Sequence, residues 1–155
     1  MNIFTVSLFG HREISNPLEV EKALLKVIRS LILSKEYVEF LVGRNGEFDL
    51  LAASAVRRTQ KALDRGNSSL VLVLPYMTDE YRKNAAALES YYDEIEICGK
   101  AAECHFKSAF SVRNRLMTER SDLVICCIER ENGGAYQAVQ YALKLNKTII
   151  NLAAE

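Results

Sequence analysis

Net charge is missing from this sequence: its 20 lysines and arginines are balanced by 20 aspartates and glutamates. No global positive field is available to hold nucleic acid or an anionic membrane, which argues against nucleic acid as a partner, and any anion site must be local. Long apolar runs are missing too. None approaches the roughly 20 residues that a bilayer span requires. Residues 1–9 carry neither a basic region nor a small-residue cleavage site, so no secretory signal is read there and a cytoplasmic location is expected. Linkers and internal repeats are also absent, and 155 residues are expected to form one domain over 1–155.

The means to hold a metal are equally thin. Cys126 and Cys127 are adjacent in an apolar run, where they read as small buried hydrophobes that cannot easily pair with one another. Cys98, Cys104 and His105 come nearer to a metal pattern, but no CxxC pair or second His completes a tetrahedral set. Reduced thiols are expected, with no metal and no cofactor.

What is present is an ordinary globular composition, 49% hydrophobic and 26% charged. It is laid out as strands alternating with helices. A β-like run ends at Gly10. Asn16, Pro17 and Glu19 then look like an N-cap, an N1 proline and the third member of a capping box. The stripe Val20, Leu24, Val27, Ile28, Leu31 and Ile32 has helical spacing. A strand over 37–42 precedes a second helix that begins near Phe48, with Gly66 as its C′ residue. Residues 77–92 read as a weaker helix and 94–98 as a short strand. A helix over 109–120 follows, and after Gly134 come a last helix and a closing strand over 148–152.

The runs 69–74 and 123–128 are almost continuously apolar, the mark of strands covered on both faces, and are expected near the sheet's centre. The pattern predicts an α/β, Rossmann-like three-layer α/β/α fold with a mainly parallel sheet of roughly five to seven strands.

In such sheets ligands bind beyond the carboxyl ends of the strands, where strand order reverses. Three turns fall at that edge. Gly10, His11 and Arg12 follow the first strand. The glycine permits close approach of an anion and the arginine offers a planar fork, or else the glycine serves the turn alone and its neighbours are solvated. Residues 43–49 place Gly43 and Gly46 before a helix start that suits an anion, and Asp49 either binds a ribose hydroxyl or caps the helix. Asn132, Gly133, Gly134 and Ala135 follow the most apolar strand and form the best phosphate cradle. Neither a dinucleotide G-x-G-x-x-G nor a Walker A motif occurs. On the helix over 109–120, Arg113 and Asn114 are expected at the ligand, with Arg113 making little core contact and Arg115 more exposed. The alternative for Arg113 is an ion pair with Asp122 or Glu119.

These pieces resemble the SLOG superfamily of Rossmann-like proteins, which includes DprA, the LOG phosphoribohydrolases and YpsA-like proteins. The resemblance rests on Gly10-His11-Arg12, on Gly43 to Asp49, and on Arg113-Asn114-x-x-Met117 followed by Ser121-Asp122. Its last piece is Gly133-Gly134 followed by Tyr141-Ala142. It implies binding or sensing of a nucleotide-derived small molecule at the strand ends, in a homodimer. Tyr91, Tyr92, Phe106 and Phe110 are aromatics beyond what the helix faces need. LOG enzymes carry Pro-Gly-Gly-x-Gly-Thr-x-x-Glu, and here that Glu position is Ala138. An N-glycosidase would need another acid, among Glu131, Asp49 and Glu47. Single-stranded DNA binding of the DprA kind is argued against by zero net charge and by a sequence without interleaved aromatic and basic residues.

Overall fold

The computed structural model describes residues 1–103 and 105–153. The chain runs β1 (Ile3–Gly10), α1 (Pro17–Ser34), β2 (Tyr37–Val42), α2 (Glu47–Leu63), β3 (Ser68–Leu74), α3 (Asp79–Lys83) and α4 (Ala85–Tyr91). It continues through β4 (Glu94–Ile97), α5 (Gly99–Ala102), α6 (Phe106–Arg120), β5 (Leu123–Cys127), α7 (Gly134–Lys144) and β6 (Thr148–Asn151). The strands form one six-stranded sheet in the order β4-β3-β2-β1-β5-β6, with every pairing parallel. The Rossmann-like α/β expectation is met.

Period-two alternation divides the core. Val6, Leu8, Phe40, Leu70, Leu72 and Ile125 face one side with Leu24, Ile28, Phe48 and Val56. Phe9, Leu41, Val71, Val73, Val124 and Cys126 face the other side with Met117, Ala138, Val139 and Ala142. Cys126 and Cys127 therefore point to opposite faces, which is why adjacent cysteines stay unpaired. Burial pushes the Cys126 thiol up to about 12 and the Cys127 thiol up to about 11, so both remain protonated and inert at neutral pH. Cys98 is also a free, buried thiol, while Cys104 of the candidate metal pattern lies outside the described residues.

The middle of the sheet is β1 and β2, while β3 and β5 stand second from either edge. Apolar continuity reports cover on both faces, not rank in the sheet. The centre escaped notice because β1 carries Thr5 and Ser7. Ser7 is fully buried, and its hydroxyl donates to the Met117 carbonyl at 3.1 Å and lies 2.6 Å from the Ser121 hydroxyl. A polar side chain satisfied in this way occupies a core position without looking apolar.

Several helix ends differ from expectation. Asn16 stands at the N-cap with ψ 70 and makes no side-chain cap, while exposed Glu19 lies 3.8 Å from Lys22 instead of closing a capping box. Helix α2 stops at Leu63 with Asp64 in the left-handed region (φ 47), ahead of Gly66. The weak helix over 77–92 is two short ones split at Asn84, the first capped by Thr78, whose hydroxyl accepts from the Tyr81 N–H at 3.1 Å. Helix α6 starts three residues earlier than the apolar spacing indicates, at Phe106, because Phe106 is an exposed apolar residue and not part of the stripe. Among the described residues no helix is long and apolar enough to cross a membrane.

Candidate functional site

Strand order reverses between β1 and β5: β2, β3 and β4 are laid down on one side of β1, and β5 and β6 on the other. The loops leaving β1 and β5 part there, and the crevice between them is where a parallel sheet offers its ligand site. A cleft of about 370 Å³ lies at this point. Its walls include Gly10, His11, Arg12, Gly46, Asp49, Arg113, Asn114, Asn132, Gly133, Gly134 and Ala135. Of the residues expected from sequence to bind the ligand, Gly43 alone is not on the wall.

The two loops are tied across the reversal. His11 Nε2 accepts hydrogen bonds from the backbone N–H groups of Glu129 (3.1 Å) and Arg130 (3.2 Å). An accepting Nε2 places the imidazole proton on Nδ1 and requires the neutral ring. Burial lowers the His11 pKa below 6.5 and the nearby Arg130 charge lowers it further, against a smaller opposing effect of Glu129. The Glu129 carboxylate adds a second tie, accepting from the Ser15 hydroxyl at 2.7 Å and the Ser15 N–H at 3.2 Å. That hydroxyl is the main reason the Glu129 carboxyl sits below its ordinary pKa.

On the α2 side, the Glu47 N–H donates to the Arg12 carbonyl at 2.8 Å and the Glu47 carboxylate accepts from the Ile14 N–H at 2.8 Å. Glu47 is thus a loop tie outside the cleft. A β-carbon on Gly46 would stand 2.5 Å from Arg12 Cα, so glycine is what lets these two loops touch.

Asp49 is almost fully buried, and its Oδ2 accepts from the Asn45 N–H at 2.9 Å, one residue ahead of the Gly46 N-cap, so it ties the loop before α2 and does not cap a free N–H of the helix. Burial raises its pKa, opposed by that N–H and by the Arg113 charge. Arg113 is 3% exposed. Its Nε and Nη2 donate to Asn114 Oδ1 at 3.1 and 2.8 Å, and its Nη1 donates to the Val73 carbonyl at 3.1 Å. Burial lowers the Arg113 pKa, with Asp49 opposing. The expectation of a guanidinium with little core contact is corrected, because Arg113 is held inside the wall and each of its three nitrogens donates a hydrogen bond to a buried acceptor.

Neither alternative partner of Arg113 is used. Asp122 accepts from the Thr5 N–H at 2.9 Å, and Glu119 accepts from the Tyr141 hydroxyl. Gly43 lies behind this group, where a β-carbon would come within 2.8 Å of Arg113 Nη1 and 3.1 Å of Asp49 Oδ2. Arg115 is exposed, as expected, its guanidinium 5.2 Å from the Tyr141 ring centroid.

The open wall is the start of α7. Gly133 is the N-cap at φ 93, with no side-chain cap and nothing within 4 Å of where its β-carbon would be. The first intrahelical bond runs from the Gln137 N–H to the Gly133 carbonyl at 3.1 Å, which leaves the Gly134, Ala135 and Tyr136 N–H groups unpartnered within the helix. Asn114 Nδ2 faces the same turn, 4.0 Å from where a Gly134 β-carbon would stand. The Asn114 carbonyl oxygen is bound to Arg113, so the amide end is fixed as a donor. Arg12 is exposed and makes no side-chain hydrogen bond or ion pair among the described residues. Arg130 is held only by long contacts, 3.4 Å to the Glu13 carbonyl and 3.9 Å to Glu129. Three arginines and one carboxylate therefore share the cleft of a chain with no net charge.

Sequence reasoning missed Phe9, Asn45, Phe110 and Arg130. Helical spacing would have found Phe110, which lies one turn before Arg113 and Asn114. Of the candidate acids only Asp49 lines the cleft, since Glu131 is exposed outside it.

No family model matches the chain, and no curated protein matches it. Among solved structures it is similar to the X-ray structure of DNA processing protein A (DprA) from Streptococcus pneumoniae. The TM-score is 0.66 at 17% identity, over 95% of this chain and 49% of that one. It is equally similar to DNA processing protein A from Helicobacter pylori, whose structure is described by its single-stranded DNA binding mode. There the TM-score is 0.66 at 18% identity, over 94% of this chain and 63% of that one. The chain spans about half of the first and under two thirds of the second. The likeness is one of fold, and at that level the expected resemblance to DprA is borne out.

The argument against nucleic acid as a partner is overturned by the same finding, since a protein of this fold binds single-stranded DNA. The reason is physical. Net charge sums over the whole surface, whereas a strand of nucleic acid meets only the local field of a cleft.

Proposed function

We propose that the cleft between β1 and β5 binds a nucleotide through its phosphate, with the phosphate on the first turn of α7. The observation that carries this reading is that turn. It combines free N–H groups, a glycine N-cap open to the cleft, and the fixed donor of Asn114, which is 8% exposed and has no acceptor among the described residues. The positive end of the α7 dipole favours an anion there by about 0.3–1 kcal/mol, and a charge-assisted contact from Arg12 or Arg130 adds about 1.5–3 kcal/mol. Asp49, on the opposite wall, suits a donor on the sugar or base.

The nucleotide is either free or one unit of a single-stranded nucleic acid. The second form is supported by the DNA-binding neighbour of this fold. Turnover is outside the proposal, since the position of the LOG-type catalytic Glu is Ala138, buried on the sheet-facing side of α7. A cytoplasmic homodimer belongs to the same reading, and a monomer mass by light scattering at micromolar concentration would count against the dimer.

The test is thermal shift with nucleoside monophosphates, ADP-ribose and a short oligothymidylate. A ligand at a hundred times its Kd adds about 2.7 kcal/mol of stability. No shift with any of them would end the reading, and release of free base on incubation would move the protein among the N-glycosidases.

A further inference from the structure

The first turn of α7 is delivered to the cleft by a loop with few attachments. Residues 129–133 are exposed and belong to neither helix nor strand. From Glu129 to Asn132 no backbone group is hydrogen-bonded to another backbone group among the described residues. The backbone of this stretch is anchored instead by one side chain. His11 Nε2 accepts from the Glu129 N–H at 3.1 Å and the Arg130 N–H at 3.2 Å. Just beyond lies Gly133, whose φ of 93 sets the direction of the α7 N–H groups, and the same loop carries Arg130 and Asn132 to the cleft wall.

The ring can hold the loop in one state only. A neutral imidazole with its proton on Nδ1 offers Nε2 as an acceptor, whereas an imidazolium carries a donor on each nitrogen and would aim Nε2–H at two N–H groups. Turning the charged ring over cannot restore the tie, because no acceptor is left on it. The charged groups bordering His11 are Glu129 and Arg130 on the β5 loop, Arg12 and Glu13 on its own loop, Glu47 and Asp49 from α2, and Arg113 from α6. The first turn of α7 brings none. Burial and Arg130 favour the neutral ring, and Glu129 opposes them.

We propose that His11 is a positioning residue for the anion site, and that its neutral ring is required for the α7 turn to hold a phosphate. The site then releases its anion on acidification, the reverse of what an imidazolium in the cleft wall would do by charge alone. This rests on the phosphate reading of the cleft and adds proton control to it.

Calorimetric titration with ADP-ribose and with sulfate, between about pH 8 and pH 5, compares wild type, His11→Gln and His11→Ala. Neither probe changes charge in that range, whereas a phosphate monoester takes up a proton at about pH 6. Glutamine supplies a carbonyl acceptor that does not titrate, and is expected to recover most of the affinity that alanine loses. Acidification should lower wild-type affinity relative to His11→Gln. The fall is severalfold and stays under about thirtyfold at pH 5, the limit for a ring titrating at 6.5. Asp49 is present in both proteins, so the ratio between them removes its contribution. Proton NMR of the wild type decides the matter should the variants not fold. The chain has only 2 histidines, and ADP-ribose should lower the pH at which the His11 ring titrates, whereas an anion acting through charge alone would raise it.

A ratio of wild type to His11→Gln that is constant with pH, or that rises on acidification, overturns the proposal and leaves the phosphate cleft standing. So does a His11→Ala protein that binds as wild type does at the alkaline end, or a ring titration that the ligand raises or does not move. If neither probe binds the wild type at any pH, the phosphate reading falls as well.

Discussion

Arg113 and Asn114 are neighbours in the chain and hydrogen-bonded to each other, Asn114 Oδ1 accepting from Nε at 3.1 Å and Nη2 at 2.8 Å. Each fixes the other. The arginine is held as a buried cation beside Asp49, and the asparagine is turned so that its amide faces α7.

Arg113→Ala is therefore expected to destabilise the fold, by about 1–3 kcal/mol, because it leaves the Val73 carbonyl and Asn114 Oδ1 without their buried donor and removes the charge that opposes the burial of Asp49. Arg113→Lys should recover little, since an ammonium cannot reproduce the fork that reaches both Asn114 and Val73. Urea unfolding of the three proteins measures this. A loss under about 1 kcal/mol in Arg113→Ala would mean that the burial of this pair is not maintained in solution.

Much of this was legible in the sequence. Helical and strand periods reveal the alternation, and the three glycine-bearing turns lead to the cleft because strand ends are fixed by where apolar runs stop. The central rank of β1 was not legible, since Ser7 is buried through a hydroxyl contact with Ser121 that only the fold creates. The burial of Arg113 was equally hidden. Its carbonyl acceptor, Val73, belongs to a strand 40 positions away. The packing of Tyr76 against Phe106 and Phe110, with ring centroids 5.6 and 5.9 Å apart, joins two separate segments, so no window along the chain could contain it.

Gly133→Ala separates conformation from contact. Nothing would touch the new β-carbon, but φ 93 is a conformation that L-residues rarely adopt. The expected cost is about 1–3 kcal/mol if the turn is kept. If it relaxes, the N–H groups of the α7 start turn away and phosphate affinity falls. Calorimetric titration with thymidine monophosphate should show affinity falling more than stability. Unchanged affinity with lowered stability would remove this turn from the site.

Arg12 and Arg130 are the cations of the cleft least engaged by other groups, Arg12 without a side-chain bond among the described residues and Arg130 held only by long contacts, and both are exposed. Arg12→Ala and Arg130→Ala are each expected to weaken phosphate-ligand binding about tenfold and to reduce its dependence on salt, with the melting temperature unchanged. Titrations at two salt concentrations test both statements. A variant that binds as wild type does at low salt would take that arginine out of the site.

His11 makes stability depend on pH in a direction that can be worked out. Its folded pKa is lowered from the ordinary 6.5, first by burial and then by Arg130. In the unfolded chain the imidazole takes up a proton near 6.5, whereas the folded ring resists it, so the unfolded state binds more protons as the pH falls through and below this value. The stabilisation present above 6.5 is therefore lost progressively toward the lower folded pKa. The structural cause is that protonating Nε2 removes the acceptor shared by the Glu129 and Arg130 N–H groups. Asp49, with its pKa raised by burial, acts in the opposite sense, so the wild-type profile alone mixes the two. The informative quantity is the difference between wild type and His11→Ala. The variant should be less stable at pH 8, because two loop N–H groups lose their acceptor, and the gap should narrow between about pH 7 and pH 5. Urea midpoints across that range measure it. A gap that stays constant with pH would mean that His11 does not titrate through the bond to the β5 loop, and a gap that widens on acidification would mean that the charged ring is the form the fold prefers.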